Sequence, residues 1–380
     1  MRRMLLFCLA IAAVVSLSPI LAADPAGFKT LEIGDKAPAF SLPGVDGKNY
    51  SLDDFAKARL LAIIFTCNHC PTAQAYEDRI IQLHADYKDK GVALVAISPN
   101  DPQALRLDEL GYTEYSDSLE EMKRAAKERG FTFPYLYDGD TQKTSLAYGV
   151  LATPQVYLFD QDRKLRYVGR IDDSDVKTVT SHDARNAIDA LLAGKSVPVE
   201  KTRTFGCSTK WSDKRADAVK WLERADAEPV GLKPIDEADL ARLAKNETDK
   251  LLVVNLWATW CGPCVAELPE FVTMHRMYRK RPFQMVTISL DQLEQKDAAL
   301  KLLKEDHASM TNYISAIASP DKLAEILDKE WRGPLPYTLL IAPGGKVIYR
   351  QSNAIEPTEV KKAIVEVIGR TYANQPEKVK

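Results

Sequence analysis

The sequence predicts an α/β protein of two similar halves, each a central mixed β-sheet flanked by helices. Three observations carry this expectation. At 380 residues the chain is longer than one ordinary core needs, since domains cluster around ~100–200 residues. Two short, wholly apolar runs, LLAIIFT (60–66) and LLVVNLWA (251–258), have the length and β-branched content of strands buried on both faces. Each run leads into a Cys-x-x-Cys pair, Cys67 with Cys70 and Cys261 with Cys264, 194 residues apart.

The elements follow in order. Residues 1–23 read as a secretory signal: Arg2 and Arg3, an apolar run, a break at Ser16, Ser18 and Pro19, and small residues near Ala22 and Ala23 for cleavage. An uncleaved anchor is the rival reading, because the run approaches the ~18 residues that span a bilayer. Cys8 lies inside this segment. In the first half, expected over 24–200, Asp46-Gly47 separates two strand-like runs in FSLPGVDGKNYSL, a hairpin signal. The strand 60–66 ends at Cys67, and Tyr76, Ile80, Leu83 and Tyr87 then recur at helical spacing. VALVAIS (92–98) is the next buried strand, Ser118 and Glu121 form a capping box for a helix that Gly130 ends, PQVYLFD (154–160) and KLRYVGRI (164–171) alternate as an antiparallel pair, and DARNAIDALLAG (183–194) closes the half. Charge-rich residues 196–235, centred on a linker at 201–232, join the halves. The second half, 233–376, repeats the plan: helix 236–246, strand 251–258, the second cysteine pair at a helix start, strand FQMVTISL (283–290), helices around DAALKLLKED and PDKLAEILDKEW, a hairpin over 337–350 turned at Pro343-Gly344-Gly345, and a helix from Pro357.

A net charge of −2 leaves no basic field for nucleic acid, and past the N-terminal segment no stretch is apolar enough to span a membrane. The five cysteines that remain after residue 23 are too few for a disulfide-stapled scaffold. Two cysteines at i and i+3 of a helix start suit thiol-disulfide exchange. The first meets unpaired amides and the positive end of the helix dipole, which favour its thiolate, and the second is shielded by the next turn. Cys67 and Cys261 are therefore the expected nucleophiles, and Cys70 and Cys264 the cysteines that release the mixed disulfide.

LWATWCGPCVAELP resembles the thioredoxin family, and more closely its exported TlpA and ResA type, in Trp260, Gly262-Pro263, Glu267, Pro269 and GPLPYT. The resemblance implies that Pro336 is a cis-proline beside the active site, that Trp260 and Tyr337 contact the substrate, and that electrons come from a membrane thiol reductase. Asn255 stands where thioredoxin has a buried acid, which leaves Glu267 to move protons at Cys264. The first half resembles the redoxin branch related to alkyl hydroperoxide reductases, a group with Cys-Asn-His-Cys-Pro, through AYGVLATPQVYLFD, YVGRIDD and FGCSTKW. Here Pro154 matches the cis-proline, and Thr153 is the neighbouring substrate contact. Ala152 replaces a cysteine that relatives often carry there, so Cys207 lacks that disulfide partner. The peroxidase pattern Pro-x-x-x-Thr-x-x-Cys is incomplete, because no proline precedes Thr66.

The whole implies an exported (secreted or periplasmic) thiol-disulfide oxidoreductase acting on protein disulfides, with no cofactor and no resident metal. The alternatives for the first half are a thiol peroxidase, a static disulfide, or a copper-carrying site on Cys67, Cys70 and a histidine. If His69 stabilises the Cys67 thiolate, the first pair is the more oxidising of the two. Cys207 is open between a free thiol, an intermolecular link and a third participant. His84 and His275 are expected to be packed or solvated, His182 to cap or face solvent on the last helix of the first half, and Asn246-Glu247-Thr248 to be a loop after a helix rather than a glycosylation site.

Overall fold

A computed structural model describes residues 28–374; the expected signal segment with Cys8 lies outside them. The first half contains β1 (Ser41–Pro43), β2 (Asn49–Ser51), β3 (Leu60–Phe65), α1 (Pro71–Ala75), α2 (Glu77–Tyr87), β4 (Val92–Ser98), α3 (Leu119–Glu128), β5 (Tyr135–Tyr137), α4 (Lys143–Tyr148), β6 (Ala152–Thr153), β7 (Gln155–Phe159), β8 (Leu165–Gly169), α5 (Asp183–Leu192) and β9 (Cys207–Ser208). Its main sheet has the order β5-β4-β3-β7-β8, parallel across β3–β4 and β4–β5 and antiparallel from β3 to β7 and β8. Between the halves lies α6 (Arg215–Asp226). The second half holds β10 (Lys233–Ile235), α7 (Glu237–Lys245), β11 (Leu251–Trp257), α8 (Gly262–Tyr278), β12 (Phe283–Ser289), α9 (Lys296–Glu305), β13 (Thr311–Ser315), α10 (Pro320–Leu327), β14 (Tyr337–Ile341), β15 (Val347–Ser352) and α11 (Pro357–Ile368). These strands form a six-stranded sheet in the order β10-β13-β12-β11-β14-β15.

The apolar runs behave as the pattern demands. Every residue of β3 and of β11 is buried, and alternate residues feed two separate cores. Leu60, Ala62 and Ile64 pack on one face of the first sheet, Leu61, Ile63 and Phe65 on the other. Leu251 and Val253 divide from Leu252 and Val254 in the same way in the second. Two mixed sheets covered on both faces bear out the expected fold class.

The 196–235 stretch is more ordered than a linker. β9 pairs with β6, Cys207 opposite Thr153, and α6 is a twelve-residue helix. Its periodic signal is thin because only Ala218 and Ala225 are buried. The capping box at α3 is shifted: Ser118 accepts the Glu121 N–H, but the Glu121 carboxylate takes the N–H of Ser116. No described helix is long and apolar enough to cross a membrane.

The two halves share one seam. The loop between β4 and α3 places Leu105, Leu107 and Leu110 against the core that holds Met277 and Tyr278 of α8. Tyr278 donates to the Thr113 carbonyl (2.8 Å), and Arg281 donates to the Gly111 carbonyl (2.7 Å) while its guanidinium lies 3.7 Å from the Tyr112 ring centre. Gly111 is needed there, because a Cβ would come within 2.8 Å of the Met277 carbonyl oxygen. Arg370 bonds the buried Glu114 carboxylate (2.6 Å), and Tyr372 packs edge-on against Tyr112.

Candidate active sites

The second site is built at the junction of β11 and α8. Cys261 is the N-cap of α8 and accepts the Cys264 N–H on its sulfur at 3.3 Å, with Pro263 in the first turn, where a missing N–H costs nothing. Cys261 and Cys264 are joined in a disulfide, their Cα atoms 5.3 Å apart. Cys261 is 7% exposed and Cys264 1%, whereas Trp260 beside them is 67% exposed. A large aromatic left in water next to a reactive sulfur is what a partner-binding face requires. The Leu335–Pro336 bond is cis, as the sequence led us to expect.

Glu267 lies one turn past Cys264 on α8 and is buried. Its carboxylate takes Asn255 Nδ2 at 3.2 Å and the Ile355 N–H at 2.9 Å, and Asn255 also donates to Thr338 Oγ1. Burial pushes the Glu267 pKa up, and the two donors only partly offset it. Asn255 thus replaces a charge by a neutral donor that orients Glu267. One expectation needs correcting: Tyr337 is buried at 2% exposure, stacked on Trp331, and its hydroxyl donates to Asp328 (2.7 Å), which also pairs with Arg350. The alternation along β14 turns its side chain into the core, so it is not a substrate contact.

The first site is a cluster of three sulfurs. Cys67 is 3% exposed, Cys70 is fully buried, and Cys207 keeps partial exposure. Cys67 Sγ lies 3.1 Å from Thr153 Oγ1, and Cys70 Sγ 3.4 Å from the Thr153 carbonyl. The Thr153–Pro154 bond is cis. Thr153 is wholly buried, so it holds the dithiol and is not exposed to a substrate. The Cys207 N–H (3.3 Å) and the Ala73 N–H (3.5 Å) both point at Cys70 Sγ.

These donors reverse the expected distribution of charge. Burial pushes the Cys67 thiol well up, and its hydrogen bond to Cys70 and the nearby Asp117 charge add to that. Burial works against the Cys70 thiolate too, but the Cys207 and Cys67 thiols, the His69 charge and the Ala73 N–H together hold it well below the usual thiol range. Cys70, not Cys67, is the favoured thiolate. The His69 charge acts on Cys70, and a ring nitrogen of His69 also lies within 4.8 Å of Cys67 Sγ. His69 is buried, with Nδ1 2.6 Å from Asp117 Oδ2. Desolvation lowers its pKa, yet the Asp117 charge and hydrogen bond raise it on balance. Asp117 also accepts the N–H groups of Asn68 (2.8 Å) and His69 (3.1 Å) and Asn100 Nδ2 (2.7 Å). Burial favours the neutral acid, but these donors, His69 foremost, hold the Asp117 carboxyl below its ordinary range.

Cys67, His69 and Asp117 could present ligand atoms within 4.8 Å of one another. Both Asp117 oxygens already serve four hydrogen bonds, which fits a clamp for His69 better than a cation cage. Asp117 and Asn100 were not singled out from the sequence; they are polar residues in an irregular loop whose return to His69 no local pattern reveals. His84 and His275 are part-buried, with burial lowering both and His275 reaching about 4; His182 is exposed at the start of α5 without capping it. Asn246 is buried at the end of α7, its amide donating to the Lys250 and Ile341 carbonyls.

Two mixed sheets, each placing a cysteine pair between a central strand and its helix beside a cis-proline, define a tandem of thioredoxin-fold dithiol units. The AhpC/TSA family matches residues 33–168, and the Redoxin family matches 236–366. A putative peroxiredoxin of Mycobacterium tuberculosis is 32% identical over 128 residues, 33% of this chain and 68% of that protein. The thiol-disulfide oxidoreductase ResA of Oceanobacillus iheyensis is 31% identical over 134 residues, 34% of this chain; the chain spans 66% of that relative's length. A solved structure of an uncharacterized conserved protein from Geobacillus kaustophilus is 40% identical, covering 49% of this chain and 95% of its own, with a TM-score of 0.44. The chain belongs to the AhpC/TSA and redoxin family of thioredoxin-fold oxidoreductases, with two such domains in tandem.

Proposed function

We propose that the protein is an exported thiol-disulfide oxidoreductase that reduces or exchanges disulfides of protein substrates, with Cys261 and Cys264 as its principal pair. The observation that carries this reading is the placement of Cys261 at the head of α8, beside an exposed Trp260 and the cis Leu335–Pro336 bond. In the reduced enzyme the helix start favours the Cys261 thiolate. That thiolate attacks a client disulfide, forming a Cys261–client bond and releasing one client thiolate. Cys264 then attacks Cys261, which frees the second client thiol and leaves the enzyme disulfide. Glu267, its pKa raised by burial, can take the Cys264 proton when ionised and return it later. Two electrons from a dithiol donor reset the pair. A membrane thiol reductase fits that role, and the N-terminal segment with Arg2 and Arg3 ahead of an apolar run supports export to the secreted or periplasmic space.

The test is turnover of a protein disulfide, such as insulin, with dithiothreitol as donor. Wild type is expected to accelerate the reduction. Cys264→Ser should instead accumulate a mixed disulfide at Cys261. A Cys261→Ser/Cys264→Ser protein as active as wild type would overturn the assignment.

A further inference from the structure

The tail of the first half runs beside the first cysteine pair. β9 adds only two residues to β6, yet Gly206 takes φ +139° and passes so close to Thr153 that a Cβ would meet its carbonyl oxygen at 2.0 Å. A side chain at 206 would push the strand away, and what this approach delivers is Cys207. Its N–H bonds Cys70 Sγ at 3.3 Å, and its side chain packs against Cys67, Cys70 and Ala73. Cys70 therefore sits between two thiols, Cys67 and Cys207, in one small cluster with Ala73.

We propose that Cys207 is a third redox-active thiol, and that Cys70 exchanges its disulfide bond between Cys67 and Cys207. This rests on the reading of the first pair as redox-active. In the internal step the Cys207 sulfur attacks Cys70. The Cys67–Cys70 bond breaks, a Cys70–Cys207 bond forms, and the proton of Cys207 passes to Cys67; no electrons enter or leave. Cys67, the sulfur whose anion the site disfavours, is the one that ends protonated. Cys207, the least buried of the three, then faces the donor. One thiolate of a dithiol reductant bonds Cys207 and expels Cys70 as its stabilised thiolate; the second donor thiol displaces Cys207. The site gains two electrons and two protons, and the donor leaves as its disulfide. Cys207 is thus the port through which a fully buried Cys70 exchanges electrons.

Trypsin separates the outcomes. Cys67 and Cys70 share the fragment 60–79, whereas Cys207 falls in 204–210. The reduced full-length protein is oxidised with limiting glutathione disulfide, quenched with a thiol-blocking reagent, digested and mapped by mass spectrometry. A cross-link between 60–79 and 204–210 is expected in wild type, and in Cys67→Ser it should become the main product, with both remaining thiols of the site lost. Cys207→Ala, which removes the third thiol and leaves no hydroxyl in its place, should shift the equilibrium of the first pair with glutathione by about tenfold, the effect of one hydrogen bond to a charged sulfur. Cys67→Ser keeping Cys70 and Cys207 reduced, under conditions that oxidise the wild-type first pair, would overturn the proposal, as would a Cys207→Ala protein with unchanged equilibrium and no wild-type cross-link. Insulin turnover on the same samples, which depends on Cys261 and Cys264, reports separately on the function proposed above.

Discussion

Asp117→Asn removes one negative charge from a wholly buried position while keeping the shape of the side chain. The carboxylate accepts four hydrogen bonds, two of them backbone N–H groups and one from His69. An amide in its place must aim its NH2 group at one of two sets of donors, so at least one buried donor loses its acceptor and His69 loses its counter-charge. Breaking a buried pair in this way costs about 3–5 kcal/mol, a large part of the ~5–15 kcal/mol that holds a domain. With urea slopes of about 1–3 kcal/mol/M, the midpoint should fall by on the order of 1–2 M. The difference from wild type has a pH window. Asp117 has a lowered pKa when folded, so its contribution is present above its unfolded value of ~4 and is lost as pH falls through the folded value. His69 is raised, so its contribution is full below ~6.5 and is lost as pH rises through its folded value. The gap between variant and wild type should be widest near pH ~5–6. A neutral His69 also supports the Cys70 thiolate less. Each pKa unit of thiolate stabilisation lost is worth about 1.4 kcal/mol, or about 30 mV for a two-electron couple, so the first pair should become less oxidising. Urea melts and thiol trapping in glutathione buffers measure both effects, with Cys261/Cys264 as an internal reference. A variant with an unmoved midpoint and an unmoved first-pair potential would refute this account of the clamp.

Glu267→Gln should flatten a pH dependence: burial raises the Glu267 pKa, so wild-type stability relative to the variant is greatest below ~4.3 and declines as pH rises through the folded value. Parallel stability curves for the two proteins would contradict this. Trp260→Ala, at an exposed position, should change stability by no more than about 0.5 kcal/mol while raising KM for a protein disulfide and leaving turnover of a small disulfide intact; equal effects on both substrates would rule out a docking role. Arg281→Met leaves the Gly111, Ile368 and Gly369 carbonyls without their donor, at a cost of about 1–3 kcal/mol for each group left unsatisfied in the interior. It should loosen the seam enough for protection of amides in 105–114 to fall in hydrogen exchange, and unchanged protection there would count against the seam.

Much of the fold is legible because its central strands are continuous apolar runs and its helices carry a clear apolar stripe. β3, β4, β11 and β12 and the helices α2, α5 and α7 fall where the pattern puts them. β5, β10 and β13 escape it, being three to five residues long, and β13 hides its alternation because one buried position holds the polar Asn312 beside a half-buried Tyr313. The cysteine pairs and both cis-prolines announce the sites. Their electrostatics do not, since Asp117 reaches His69 from 48 residues away, held in turn by Asn100, and Cys207 reaches Cys70 from 137 residues away. The helix-start rule favours the first cysteine of a pair, and it fails at Cys70 because α1 begins there: Cys70 is the N-cap, accepting the Ala73 N–H, whereas in the second half the N-cap is Cys261. Where the helix starts, at the first cysteine of the pair or at the second, three residues on, decides which sulfur meets its unpaired amides.

The loop that carries Asp117 also has a consequence for the order of assembly. It clamps His69 at one end, but its Gly111 and Thr113 carbonyls and its three leucines find their places only on α8 and Arg281, more than 160 residues further along the chain. Chains emerge and fold from the N-terminus. During synthesis the first sheet can therefore close while this loop still lacks the surface of α8 that its leucines pack against. The loop that clamps His69 thus reaches its final packing only after α8 and Arg281 of the other half have been made.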